Sequence, residues 1–186
     1  TTLNCSGGST PWGSWLSCEE FDLGHVWECD PQGKEPAVVW PALGVFKHEA
    51  VVIDPARQQL YLTEDRGDGL FYRFTPDRMS AEGHADLSSG ALEAAEVTGG
   101  EQGPVRWHRV ADPSAERQPT RVQVPKATIF KGGEGAWFHD GVVFFTTKLY
   151  NRVWALDTEQ DFMAIVYDVA ALEGSELEGV DNVMVS

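Results

Sequence analysis

Three stretches of the chain repeat one alternation of apolar and polar positions. The first runs Gly13-Ser-Trp-Leu-Ser-Cys-Glu-Glu20 and then Gly24-His-Val-Trp-Glu-Cys-Asp30. The second runs Ala50-Val-Val-Ile-Asp54, then Gln59-Leu-Tyr-Leu-Thr-Glu-Asp65, then Gly69-Leu-Phe-Tyr-Arg-Phe-Thr-Pro76. The third runs Gly135-Ala-Trp-Phe-His-Asp-Gly141, then Val142-Val-Phe-Phe-Thr-Thr-Lys148, then Asn151-Arg-Val-Trp-Ala-Leu-Asp157. In each, an apolar strand ends in a polar knot, a short turn follows, and a second strand of aromatic-x-apolar type closes the unit. Repeats of this kind predict an all-β chain built from β-propeller blades, with a sandwich as the less favoured arrangement. Cys18 and Glu64 lie one repeat apart, whereas Glu64 and Thr147 lie about two apart. The excess falls in residues 79–125, where clusters of Gly, Pro and Ser predict a loop-rich insert with one strand near Val105–Val110. Only Ser114–Arg117 and Val169–Glu173 have the composition for a turn or two of helix.

Length and charge narrow the possibilities. The 186 residues suit one domain, and 42% apolar types can fill a core. No apolar run reaches the 18 residues of a membrane-crossing helix. Fourteen Lys and Arg against 29 Asp and Glu give a formal charge of −15, which excludes nucleic acid and anionic membranes as partners. It suits divalent cations, and an acidic, saline-adapted surface gives the same number. The chain opens Thr-Thr-Leu-Asn with no readable targeting signal and closes in what reads as another strand. It therefore reads as part of a longer protein, a partial propeller domain over 1–186.

The chemistry concentrates at the strand ends. No nucleophile elbow, P-loop, H-E-x-x-H or C-x-x-C pair is present. Instead Cys18-Glu19-Glu20, His48-Glu49, Glu64-Asp65, Glu134 and Asp181-Asn182 recur near corresponding points of the repeats. In a propeller such positions converge on the axis, and a ring of carboxylates there needs raised pKa values or bound cations. Solvated acidic loops are the alternative for any one of them. Trp12, Trp15, Trp27, Trp137 and Trp154 read as blade-packing aromatics. Lys148 and Asn151 are candidates to touch an anion, or simply exposed turn residues. The three cysteines, Cys5, Cys18 and Cys29, allow one disulfide.

The run Asn4-Cys-Ser-Gly-Gly-Ser-Thr-Pro-Trp-Gly-Ser-Trp-Leu-Ser-Cys-Glu-Glu20 resembles the hallmark of the PhoX-type bacterial alkaline phosphatases. Gly44-Val-Phe-Lys-His-Glu49, Tyr61-Leu-Thr-Glu-Asp65, Phe71-Tyr-Arg-Phe74, Glu134-Gly135 and Thr146-Thr-Lys-Leu-Tyr-Asn-Arg-Val-Trp154 agree in order. The resemblance implies a six-bladed propeller with an axial cluster of Fe(III) and Ca2+. It also implies a secreted, periplasmic or extracellular metal-dependent phosphomonoesterase acting on a small phosphorylated substrate, expected here as a monomer without membrane insertion. Carried over, Cys18 is the bridging thiolate, with Glu64 and Glu134 as iron-coordinating carboxylates in the catalytic group. Glu19, Glu20, Glu49 and Asp65 are weaker matches, suited to calcium. If Cys18 is a ligand, Cys5 and Cys29 are the only pair left for a disulfide. The family's phosphate-gripping arginine before the E-G motif is missing from Lys131-Gly-Gly-Glu134, where Lys131 offers only a point charge. A calcium-binding scaffold without catalysis and a lactonase-like propeller hydrolase remain alternatives.

Overall fold

The three alternating stretches fold as antiparallel sheets standing next to one another. The described residues, 3–172, 174 and 177–186 of this computed structural model, contain thirteen strands, three 3-10 turns and no α-helix. Strands β1 (Asn4–Ser9), β2 (Trp15–Glu19), β3 (Val26–Cys29) and β4 (Val38–Val39) form one sheet in chain order. A second blade follows as β5 (His48–Asp54), β6 (Gln59–Glu64), β7 (Phe71–Pro76) and β8 (Gly90–Val97). A third is made by β10 (Gly133–His139), β11 (Val142–Thr147), β12 (Arg152–Asp157) and β13 (Phe162–Asp168). The first strands of the blades, β1, β5 and β10, lie against each other with β5 in the middle. The chain is all-β and forms part of a β-propeller.

Burial follows the period-2 pattern. Every residue of β5 is buried, because a blade covers each face of its sheet. Val51 and Ile53 point into one core with Leu16, Leu60, Leu62 and Phe74, between the first and second blades. Val52 points the other way, into a core with Tyr61, Phe71, Phe145 and Trp154 between the second and third. Phe71 and Phe145 stack across that boundary with centroids 4.1 Å apart. Each such side chain contributes about 1.5–3 kcal/mol on burial, so the blade interfaces carry the fold. The glycine pair in β1 serves close approach: a Cβ on Gly8 would run into the carbonyl of Val51.

Segment 79–125 is more ordered than its composition suggests. It contributes β8 to the second blade and adds β9 (Gly103–Arg109), which hydrogen-bonds β8 along its length. At its other edge β9 meets β13 through Pro104↔Phe162 and Gly103↔Met163, joining the two blades in one nine-stranded sheet. Asp161 locks the junction, accepting from Trp107 Nε1 at 2.8 Å and Arg73 Nη1 at 3.4 Å. Residues 114–117 form no helix. Val169–Ala171 is a 3-10 turn capped by Asp168, and Glu173 lies outside the described residues.

Of the tryptophans expected to pack blades, Trp154 is buried in the core, while Trp15 and Trp137 are 42% and 38% exposed. Both line a groove of about 280 Å³ beside the inner strands. The three cysteines are free thiols. Cys29 pairs across from Trp15, at the far end of β3 from Val26, the partner of Cys18, which removes it from Cys5.

Candidate metal centre

The same irregularity occurs at the start of each inner strand. Asn4 pairs with Glu19, His48 with Glu64 and Gly133 with Thr147; after each pair the register slips by one residue on the inner strand. Such a β-bulge re-aims the side chain at the slip. The residues there are Cys5, Glu49 and Glu134, one from each blade. The residues just beyond the partner strands are Glu20, Asp65 and Lys148. Two tiers of side chains thus converge at one edge of the blades.

Ligand atoms of Cys5, Glu20 and Glu49 lie within 4.8 Å of one another. Glu49 is buried, and its Oε2 has no hydrogen-bond partner. Burial pushes its carboxyl up to about 7, reinforced by Glu20, Asp65 and Asp181 and opposed by a hydrogen bond from Cys5. Cys5 is an exposed residue, yet partial burial of its thiol and the neighbouring carboxylates Glu49 and Glu20 push that thiol up to about 12. Glu134 rises to about 8: burial and contact with Asp181 outweigh its ion pair with Lys148. Two ammonium groups thread the carboxylates. Lys47 Nζ lies 2.7 Å from Asp65 and 3.0 Å from Glu20. Lys148 Nζ pairs with Glu134 and lies 3.3 Å from Asp65. Burial pushes the Asp65 carboxyl up, but the two lysines outweigh it and hold it low.

Asp181 enters from the segment beyond β13. Its carbonyl accepts from Gly135 N at 2.8 Å and Thr146 Oγ1 at 2.6 Å. Gly135 must lack a side chain, since a Cβ there would strike Asn182. Five carboxyl groups against two ammonium groups leave, once Glu49 and Glu134 ionise, negative charge that hard cations can neutralise, with oxygen donors suited to Ca2+ or Fe(III) and one thiol.

Several expected ligands stand elsewhere. Glu64 is fully buried, accepting from Leu70 N at 3.1 Å and the Tyr72 hydroxyl at 2.9 Å, with Arg121 Nη1 3.4 Å away. Glu19 accepts from His25 N at 3.0 Å, so both glutamates tie down the backbone six residues on in equivalent turns. Cys18 packs in the apolar core beside Leu16 and Val26. Burial, then Glu49 and Cys5, drive its thiol well up. The thiol at the carboxylates is Cys5. Lys131 lies over the Tyr150 ring, 5.2 Å from its centroid, rather than at the carboxylates. Asn151 takes a left-handed turn conformation, φ 51°, and its Oδ1 accepts from Gly179 N. Cys5, Lys47 and Asp181 are the additions; the signal for Cys5 was its place in Asn-Cys, opening a strand as His-Glu and Gly-Glu do.

Fold and site together define part of a β-propeller with an acidic, thiol-bearing cluster where the starts of its inner strands meet. A model of the family described as alkaline phosphatase PhoX matches residues 1–23 and 21–160. The chain belongs to that family. Among solved structures it is similar to Pseudomonas fluorescens PhoX in complex with vanadate, a transition state analogue, at TM-score 0.69 and 19% identity. That match covers 86% of this chain and 46% of the other, so this chain spans about half the length of its solved relative. No curated protein matches. No helix among the described residues is long and apolar enough to cross a membrane.

Proposed function

We propose that this chain supplies three blades of a metal-dependent phosphomonoesterase whose cation cluster is held by Cys5, Glu20, Glu49, Asp65, Glu134 and Asp181. The observation that carries this reading is the bulge repeated in three blades, which delivers Cys5, Glu49 and Glu134 to one place and leaves Glu49 Oε2 buried without a partner. A buried acceptor of that kind is costly unless something binds it. The donor set fits ferric iron and calcium, the metals implied by the family resemblance. Bound there, such cations supply Lewis acidity and offset the charge of a phosphoryl group.

The chain's own residues provide the rest. Cys5 would ligate as thiolate, its proton displaced by the metal. Cys18, Glu19 and Glu64 would hold the strand ends that carry the ligands. Lys148 is the cation best placed to meet a phosphate oxygen, and a −15 chain needs one there. The substrate would be a small phosphorylated molecule and the working compartment periplasmic or extracellular, with the protein a monomer. A non-catalytic calcium-binding propeller is the second reading, favoured by Lys131 turning onto Tyr150 instead of replacing the family arginine.

Elemental analysis of the protein purified without chelator, beside hydrolysis of p-nitrophenyl phosphate, separates the two. Iron with calcium and a turnover abolished by Cys5→Ser but retained in Cys18→Ala supports the phosphatase. Calcium alone without turnover supports the scaffold. Loss of metal in Cys18→Ala but not in Cys5→Ser would sink the assignment of the thiol.

A further inference from the structure

We infer that Lys148 is a displaceable internal counterion that couples occupancy of a second cation position to the binding of a phosphate-type anion. The inference rests on the metal-dependent reading above. Lys148 occupies the position that carries Glu20 and Asp65 in the other two blades, so one blade puts an ammonium where two put a carboxylate. Its Nζ joins Glu134 to Asp65, on two different blades.

The converging groups therefore fall into two sides. On one, the donor atoms of Cys5, Glu20 and Glu49 lie within 4.8 Å, and the buried Oε2 of Glu49 has no partner. Lys47 reaches only the Glu20 edge of that side. A cation can enter there without breaking the Lys148 pairs. On the other side Glu134 and Asp65 share the Lys148 ammonium, while Lys47 also holds Asp65 at 2.7 Å, and a cation gains Glu134 together with the remaining face of Asp65 only by turning the Lys148 ammonium out. Repulsion between the incoming charge and Nζ drives the same motion.

Lys148 has solvent to turn into once its pairs are broken. Its side chain is 41% exposed and its flexible stem follows the end of β11. Turned out, the ammonium stays tethered at the rim of the carboxylates, where an anion can bridge it to the cations beneath. Linkage makes the effect reciprocal: an anion that holds Lys148 away from Glu134 tightens the second cation, and that cation tightens the anion by the same factor.

Calorimetric titration of Ca2+ into the chelator-treated chain, with and without inorganic phosphate, tests the coupling. The parent chain should bind one Ca2+ tightly and a second weakly, and phosphate should tighten the second by about tenfold, the usual scale of such coupling. Lys148→Met should bind the second Ca2+ about tenfold more tightly without phosphate and lose the phosphate effect, because competitor and anion contact vanish together. Lys148→Arg, which keeps the charge, should keep a phosphate effect of the same sign, and Lys34→Met, exposed in the turn after β3, should behave as the parent does. Two Ca2+ sites in the parent with the same phosphate response in Lys148→Met would overturn the inference alone. A parent chain that binds no Ca2+ would overturn the metal-dependent reading and the inference with it.

Discussion

Glu49→Gln should weaken Ca2+ binding by at least about a hundredfold, while Glu64→Gln should leave it within a factor of about three. Removing even the outer partners of a metal ligand typically costs 10- to 100-fold in affinity, and an inner ligand costs no less. Glu49 carries a buried oxygen, Oε2, that no described residue satisfies, and Cys5 and Glu20 offer donor atoms within 4.8 Å of its own. Glu64 is committed to Leu70 N, Tyr72 and Arg121. Its amide would keep an acceptor for Leu70 but lose the charge facing Arg121, so the expected damage is to stability, about 1–3 kcal/mol. Calorimetric affinity and thermal unfolding of both variants check this. Equal loss of Ca2+ binding from Glu64→Gln would return Glu64 to the ligand set.

Without cations, the protein should be more stable at pH 5 than at pH 8.5. Glu49 and Glu64 titrate at about 7 in the folded chain and Glu134 at about 8, against an ordinary value of 4.5. In all three, burial is the first cause. A carboxyl whose pKa is raised on folding holds its proton more tightly in the folded state. Its contribution is therefore full below about 4.5 and lost as pH climbs through 7 to 8. Rises from 4.5 to about 7 and about 8 correspond to roughly 3–5 kcal/mol for one group, and the three together give less than their sum because Glu49 and Glu134 share neighbours. Millimolar Ca2+ should flatten the profile by binding the ionised form. Denaturant midpoints measured from pH 5 to 8.5, with chelator and with Ca2+, read both effects; a chelated protein whose stability rises over that range would refute the buried acidic centre.

How much of this was legible in the sequence depends on one geometric fact. Alternation located β2, β3, β5, β6, β7, β10, β11 and β12 to within a few residues, because their apolar positions recur every second residue. β1 carries Asn-Cys-Ser-Gly-Gly-Ser, with no apolar alternation, and β8 is rich in alanine, so neither announced itself. The acids at the strand ends were visible as a set, but their individual directions were not. Glu64 and Asp65 are adjacent and point to opposite faces, as do Glu19 and Glu20, so a one-residue difference in register exchanges ligand and anchor. The bulges that fix the register insert one residue in each inner strand, and composition does not mark them. The motif near Cys18 was conspicuous, yet its cross-strand neighbourhood brings Cys5 to the carboxylates.

The strand β9 also divides the molecule by how its parts come apart. Backbone hydrogen bonds run unbroken from β5 to β10, so the second and third blades cannot separate without opening the β9–β13 ladder and releasing Asp161 from Trp107 and Arg73. The first blade belongs to its own sheet and meets β5 mainly by side-chain packing. Cooperative opening should follow that seam, with β1–β4 as one unit and β5–β13 as another. Native-state hydrogen exchange would show it as two free-energy levels, the lower one in β1–β4, whereas a single level throughout would mean that packing across β1 and β5 binds as firmly as the ladder. Cys5 and Glu20 sit on the less stable unit and Asp65 and Glu134 on the other, so a cation held between them would act as a rivet across the weakest joint of the fold.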